Sequence, residues 1–596
     1  MKRKIIYLLF STFLLLNSIN LQAQSTWTGN GTAGAFPNVI PDPSYNNAGN
    51  WNTDVPGSID NIIINTLTLP NTNYPQVEGA DNIVFNNMTI NGTATFTLAD
   101  GTVTSNGAVI ITSTATLTLE AGTAFTATGS VASSGTITVP STATFTLESD
   151  ASLTTDNAID GDGTGDGVIT YKRNILDTNW HLISSPVSGQ SIQGIKDNVN
   201  VATNGNNVGL ASYLNSGPVP YVYEKVDETN SNPLTTGKGY SILLTSAGDV
   251  SFTGAPNTTS QTISVTQGTG FPNPVARNDY FLVGNPFTAY MDGKLLLNAN
   301  YNTNGDGSSR LKSPTMWLYN GTQYITKNSA ESFQLVPGQG FFIEVENDGL
   351  MDFDVANLGV LSSGTFTREE ATSSFELFIE NKNTKSAAKV FYIDGKTTGY
   401  DNGYDSKMFG GDSYSFAVFT ELVSDNKGKH LAIQTLPKND ASIIPVGIIA
   451  NKGEEITFSI ESTNLPEGVS VSLEDKSTGD FTNLSESTYT TILTEAANGI
   501  GQFYIHTAGK SLNTTNLNAK DISVYKSSSN EITITGLNTD ATFTMFSLLG
   551  KQVLQTKVTA NGVHKVSLPS LSTGIYIVKL NSSLGTITKK ITLNQQ

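Results

Sequence analysis

The chain has 596 residues, of which 38% are hydrophobic, 14% are charged and none is cysteine. That length predicts about four domains at ~150 residues each, and a charge density below the usual ~25% leaves a mostly neutral, polar surface. The net charge of −18 argues against nucleic acid as a partner, and the missing thiols exclude disulfides, zinc–thiolate sites and cysteine nucleophiles.

Residues 1–23 read as a signal peptide. Lys2-Arg3-Lys4 precede the apolar run Ile5 to Leu16, and Ala23 supplies a small residue before the cut. As a helix that run spans only ~18 Å against a bilayer core of ~30 Å, so cleavage is expected rather than anchoring. No later segment is apolar for long enough to cross as a helix, so no transmembrane span is expected in the mature chain.

Between Gln24 and Tyr171 there is no lysine, arginine or histidine, against thirteen Asp and Glu. Similar strands recur within it, beginning Thr93-Ala-Thr-Phe-Thr-Leu, Thr114-Ala-Thr-Leu-Thr-Leu and Thr142-Ala-Thr-Phe-Thr-Leu, at offsets of 21 and 28 residues. Short Thr-rich strands with Gly, Asn or Ser between them predict a β-solenoid or strand-repeat region over 24–158, with a many-stranded sandwich as the alternative. A parallel β-helix invites polysaccharide cleavage, but proton abstraction needs a positioned base and this region has no basic side chain. Glu120 and Glu148 follow the same repeated Thr-Leu and are expected to be solvated turn residues rather than a hydrolytic pair. Trp27 and Trp51 are expected in cap packing.

Residues 159–167 form an Asp/Gly linker. Carboxylates at alternate positions place oxygens around a point, so Asp160, Asp162 and Asp166 are the candidate calcium ligands, and calcium is the one cofactor the sequence offers. Gly165 occupies the sixth place of such a loop, but Gly167 and Tyr171 stand where an apolar residue and a bidentate Glu belong.

A β-rich domain is predicted over 168–364 from aromatic strands ending in tight turns: Trp180-His-Leu-Ile-Ser-Ser-Pro, Gly237-Lys-Gly-Tyr, Tyr280-Phe-Leu-Val-Gly-Asn-Pro and Val336-Pro-Gly-Gln-Gly-Phe-Phe-Ile. A β-sandwich domain is predicted over 365–510 from strands at intervals of ~8–15 residues. Reactive constellations are thin in both. Gly237-Lys238 lacks the flanking residues of a phosphate loop. Gly411-Asp412-Ser413 has no Asp-x-x-His partner, because Lys427 and Phe503 stand three places before His430 and His506. Asp394, Asp401, Asp405 and Asp412 are expected as a solvated acidic loop, and His181 as a packed strand residue.

After a linker at 511–520, residues 521–596 carry seven lysines against three acids, while the rest of the chain after residue 23 is strongly acidic. Six alternating segments, at Glu531, Thr542, Gln552, Val563, Ile575 and Thr586, predict a small β-sandwich. Val524-Tyr525, Phe546-Ser-Leu-Leu-Gly-Lys-Gln-Val, Leu568-Pro-Ser-Leu-Ser-Thr-Gly-Ile-Tyr-Ile-Val-Lys-Leu and Thr588-Lys-Lys-Ile-Thr-Leu resemble the type A C-terminal sorting domain of type IX secretion cargo. The departure is Tyr525-Lys-Ser-Ser, where that family usually has Tyr-Pro-Asn-Pro. The resemblance implies a Gram-negative source, the outer-membrane translocon and sorting machinery as partners, and surface lipopolysaccharide as the anchor if the tail is exchanged for it. It implies a cell-surface or extracellular location reached through the periplasm. The strands of 168–364, with Gly399-Tyr-Asp-Asn-Gly-Tyr-Asp405, resemble a module of large surface cargoes to which no activity is attached. Together these features predict an all-β, multi-domain, non-enzymatic adhesin or structural surface protein. The alternative is a secreted protein that binds or hydrolyses glycans.

Overall fold

The computed structural model describes residues 24–28, 32–33, 40–41, 45–46, 51, 55–67, 74–78, 82–161, 163, 167–216, 219–268, 279–302, 304, 307–359, 372–410, 414–425, 428–438, 440–465, 469–509, 523–528, 530–535, 537, 540–559, 563–582 and 585–593. About 55% of the chain is strand and 4% helix, as the all-β reading requires. Two compact units form, residues 1–465 with 472–506 and residues 466–471 with 507–596.

The first unit begins as a solenoid of three strands per coil. One face stacks Gln24–Thr26, Asn61–Ile64, Met88–Ile90, Val109–Ile111, Ser130–Ser133 and Ser152–Thr155 in parallel. A second stacks Gln76–Val77, Thr95–Leu98, Thr116–Leu119 and Thr136–Thr138. A third stacks Asn82–Phe85, Thr102–Ser105, Ala124–Ala127 and Thr144–Leu147. Met88 lies on Val109 and Val109 on Val131, so a coil takes 21 or 22 residues. The 28-residue offset in the sequence is therefore one coil plus one face. Thr116–Leu119 lies on Thr95–Leu98, whereas Thr144–Leu147 has moved to the next face and lies on Ala124–Ala127.

Alternation does the sorting within each strand. Phe96, Leu117 and Ile137 form one inward row, and the threonines on either side of each face outward. Phe125 and Phe145 stack at 5.0 Å and 7° because parallel in-register strands superpose like residues. The first coil is closed by Trp27, Tyr45 and Trp51, all buried, with both Trp51 ring contacts at 5.0 Å and its Nε1 donating to the Tyr45 carbonyl at 2.8 Å. At the other end Ile159 and Asp160, placed in the linker by sequence, complete a coil, with Asp160 N–H donating to Ile137 O at 2.9 Å and Val139 N–H to Asp160 O at 2.8 Å. The third face then runs on without a break. Thr144–Leu147 pairs in parallel with Ile169–Ile175, which pairs antiparallel with Gly248–Pro256. One hydrophobic core extends from Trp27 to Phe252.

Two copies of one folding unit follow. The first comprises Ile169–Ile175, Trp180–Ser184, helix Ile192–Asn198, Asn207–Tyr213, Tyr221–Lys225, Gly239–Leu243 and Gly248–Pro256. The second comprises Gln261–Val265, Tyr280–Gly284, helix Gly293–Ala299, Leu311–Tyr319, Tyr324–Asn328, Gly340–Val345 and Gly349–Phe353. Each four-stranded sheet has the same neighbours, and each outer strand pairs with the last strand of its own copy. Both helices start on a side-chain cap, Ser191 Oγ accepting from Gly194 N and Asp292 Oδ1 from Leu295 N. The copies join reciprocally: Ile183 bridges to Gln339 and Val283 to Lys238. Ser184 N–H donates to Gly338 O at 2.9 Å and Gly284 N–H to Gly237 O at 3.0 Å. Gly237 and Gly338 sit at φ +75° and +67°, turns that glycine adopts without strain.

From residue 372 an eleven-stranded sheet follows, including a parallel pairing of Lys385–Ile393 with Leu431–Pro437. A sheet this wide curls. Phe458 and Phe503, on strands with five others between them along it, meet at 4.6 Å, and Tyr489 Oη donates to Asp475 Oδ2 at 2.9 Å. This sheet docks on the second copy through residues 404–409. Phe409 is buried among Tyr280, Trp317, Tyr324 and Phe342, and Asn328 Nδ2 donates to Tyr404 O at 2.8 Å.

In the second unit, Ser523–Ser528, Glu531–Thr535 and Val563–Ser567 form one sheet, and Ala541–Ser547, Gln552–Val558, Gly574–Ser582 and Gly585–Leu593 another. Ile532, Ile534, Phe543, Met545, Val578 and Leu580 fill the core. Tyr576 Oη donates to Ser572 O at 2.9 Å, which gives the Leu-Ser-Thr-Gly-Ile-Tyr segment a physical role: it pins the turn leading into its strand.

Candidate functional sites and relatives

Among the described residues of the first unit, two clefts have room for a ligand. One, of about 680 Å³, lies where the last solenoid strand meets the second copy, and is lined by Thr154, Thr155, Asp156, Asn257, Thr258 and Phe287 among others. Its floor is fixed by Leu153 N–H donating to Thr288 O at 2.7 Å and Thr288 Oγ1 donating to Leu153 O at 3.0 Å. The other, of about 910 Å³, runs between the second copy and the eleven-stranded sheet. Tyr319, Tyr324, Phe378, Tyr414 and Phe416 line it with a single carboxylate, Glu461. Aromatic faces beside amide and hydroxyl groups suit the apolar face and hydroxyl rim of a sugar.

The titratable groups are tied into the framework. His181 Nε2 lies 2.8 Å from Asp177 Oδ1. Hydrogen bonding to His181 is the main cause holding the Asp177 carboxyl below its ordinary range. His506 Nε2 lies 2.8 Å from Glu474 Oε2, and Lys476 Nζ reaches Glu474 Oε1 at 2.7 Å. His430 stacks on Phe419 at 3.8 Å, and burial holds its imidazole below the usual range. Burial likewise lowers Lys238, at the turn between the two copies. Glu148 pairs with Lys172 at 2.8 Å, a weld between solenoid and first copy, while Glu120 ends a strand on a different face.

Asp405 departs from the solvated acidic loop expected from sequence. It is fully buried, its two oxygens accepting from Asp401 N at 2.5 Å and Thr435 N at 2.6 Å. Burial outweighs those hydrogen bonds and pushes its carboxyl up to about 7. Its place is structural, between the docking segment and strand Leu431–Pro437. Asp160 Oδ1 accepts from Gly163 N at 3.0 Å, closing its own turn. Asp162 and Asp166, the other two candidate calcium ligands, lie outside the described residues, as do Gly411, Asp412 and Ser413. Among the described residues no three His, Asp or Glu side chains gather as a metal site. Sequence reasoning missed the aromatic cleft, whose walls come from separate segments between Tyr319 and Glu461. Tyr319, Tyr324 and Tyr414 were visible only as scattered aromatics.

Residues 126–506 match the family described as Domain of unknown function (DUF8693). The chain belongs to this family. The DUF8693 match takes in the end of the solenoid, both copies and the eleven-stranded sheet. Residues 526–594 match the Secretion system C-terminal sorting domain, so the protein is type IX secretion cargo, secreted or displayed at the cell surface. No curated protein matches the chain. Among solved structures, the adhesin domain of Epf from Streptococcus pyogenes is 10% identical, covering 37% of this chain and 93% of its own, with a TM-score of 0.12. The BSP domain of a biofilm associated protein is 9% identical, covering 71% and 92%, with a TM-score of 0.11. Likenesses of that size carry no functional argument. No helix among the described residues is long and apolar enough to cross a membrane.

Proposed function

We propose that this secreted or surface protein is a non-enzymatic structural or adhesive element of the cell surface. The observation that carries the reading is the strand Ile169–Ile175, which is at once the last rung of the solenoid sheet and the outer strand of the first DUF8693 copy. A shared sheet and a shared core resist bending between the parts, as a stalk or scaffold requires and a hinged catalytic pair of domains does not. Thr104, Thr126, Thr146, Thr170 and Thr253 form one outward row across that junction, a neutral hydroxyl surface continuous over both parts.

The aromatic cleft at Tyr319, Tyr324 and Tyr414 favours a second reading, glycan binding. Deleting the gene and scoring attachment of the cells to glycan-coated and bare surfaces tests both. Reduced attachment to either surface supports the adhesive element, and loss confined to glycan-coated surfaces selects the cleft. Unchanged attachment, with sugar released from polysaccharide by the purified protein, would overturn the proposal in favour of a hydrolase.

A further inference from the structure

The hairpin Ala541–Ser547/Gln552–Val558 of the sorting tail turns through Leu548-Leu549-Gly550-Lys551. The turn is well made: Gly550 N–H donates to Ser547 O at 2.9 Å, Ser547 N–H to Lys551 O at 2.8 Å, and Gly550 takes the positive φ, +81°. Nothing in that geometry asks for leucine at the tip, where Gly, Asn, Asp, Ser and Pro normally stand. Tight turns of the first unit follow the rule, with Asn320-Gly321-Thr322 and Ser477-Thr478-Gly479. Here Leu548 is 69% exposed and Leu549 97%. The strands beneath are anchored by buried Phe543 and Met545, so the two leucines are presented on a rigid support.

We propose that Leu548 and Leu549 form an apolar plug that inserts into an apolar socket, rimmed by acidic groups, on an outer-membrane protein of the secretion machinery. The inference rests on the sorting role of this tail, which requires a reader outside the chain. Charge fits the same partner: Lys551 flanks the plug, and the tail is basic whereas residues 24–520 are strongly acidic. An acidic rim would attract it and repel the rest.

The test is made in the native bacterium with the full chain carrying Leu548→Asn and Leu549→Asn. Surface and medium fractions should lose the protein by about tenfold or more, as for removal of a buried anchor, and tail-bearing protein should collect in the periplasm. Val563→Asn, which changes an exposed residue of the other sheet, should be exported normally. Thermal melting of the purified chains separates lost recognition from lost folding. If the double variant melts early, Leu549→Ser replaces it under the same criterion. Normal export of a folded variant overturns the plug, and so does an effect on binding to outer-membrane lipid vesicles without one on export. Deleting 526–594 is the separate control: normal export of that deletion would refute the sorting role itself.

Discussion

The two copies in the DUF8693 region share strand order, helix position and turn geometry, yet they bury different partners. Strand register makes Ala211 the counterpart of Trp317 and Ser241 the counterpart of Phe342. In the second copy those rings, with Tyr280 and Tyr324, enclose Phe409 and so hold the eleven-stranded sheet. In the first copy those two positions are small, and the face packs instead on the second copy, with Leu182 and Tyr213 in the same aromatic cluster and Tyr213 meeting Phe342 at 4.9 Å, while its outer strand, Ile169–Ile175, extends the solenoid. Among the described residues the matching strand of the second copy, Gln261–Val265, pairs only with Gly349–Phe353. One backbone thus serves two connections, and the exchange of Ala211 and Ser241 for Trp317 and Phe342 is the side-chain difference that goes with them.

Trp317→Ala is the sharpest way to break that contrast. It should destabilise the chain by about 3–5 kcal/mol, because a large buried ring is lost from a packed cluster. Ser241→Ala, at the matched position of the first copy, should cost about 1 kcal/mol or less. Urea unfolding of both variants measures the difference, and equal costs would remove side-chain volume at these matched positions as the deciding feature.

The reciprocal seam between the copies gives a smaller and symmetric effect. A Cβ on Gly239 would sit 2.7 Å from Val283 O, and a Cβ on Gly340 would sit 2.9 Å from Ile183 O. Gly239→Ala and Gly340→Ala should each destabilise by about 1–3 kcal/mol, the usual cost of forcing atoms into a packed contact. A disparity larger than that range would show that the seam is not used equally by the two copies.

Local chemistry explains which of these features could be seen in the sequence. Six strands of the sorting tail are plain because alternation and turn residues coincide; the seventh, Ser523–Ser528, is hidden by Lys526-Ser-Ser, which breaks the alternation. The solenoid shows itself through Thr-Ala-Thr-x-Thr-Leu, but three similar phrases fall on two faces, so their spacing alone misleads about coil length. Gly237-Lys-Gly-Tyr and Gly338-Gln-Gly-Phe are both conspicuous, yet the duplication they mark is obscured because inward positions such as Ala211 and Trp317 diverged with their partners. The eleven-stranded sheet depends on pairings such as Lys389 with Ile433, which no local pattern encodes. Asp405 was misjudged for the same reason: its burial depends on Thr435, thirty residues away.

Asp405 also supplies the finest probe of how the eleven-stranded sheet is held to the second copy, since it anchors the segment whose Ser406 and Phe409 make that contact. Its carboxyl titrates near 7 in the folded chain, well above the ~4 of an unfolded aspartate. A raised folded value means that the folded state binds the proton more tightly. The resulting stability is fully present below about pH 4 and is lost as pH rises through about 7. Thermal melts should therefore fall between pH 6 and pH 8 in the native chain. Asp405→Asn removes the buried charge but turns an amide N–H₂ toward one of the two backbone donors, so its net cost at pH 8 should stay within about 1 kcal/mol. The signature is the slope: the fall in melting temperature across that window should flatten in Asp405→Asn. If the variant keeps the native slope, another group carries the titration, and Asp405 holds the docking segment through its two hydrogen bonds alone.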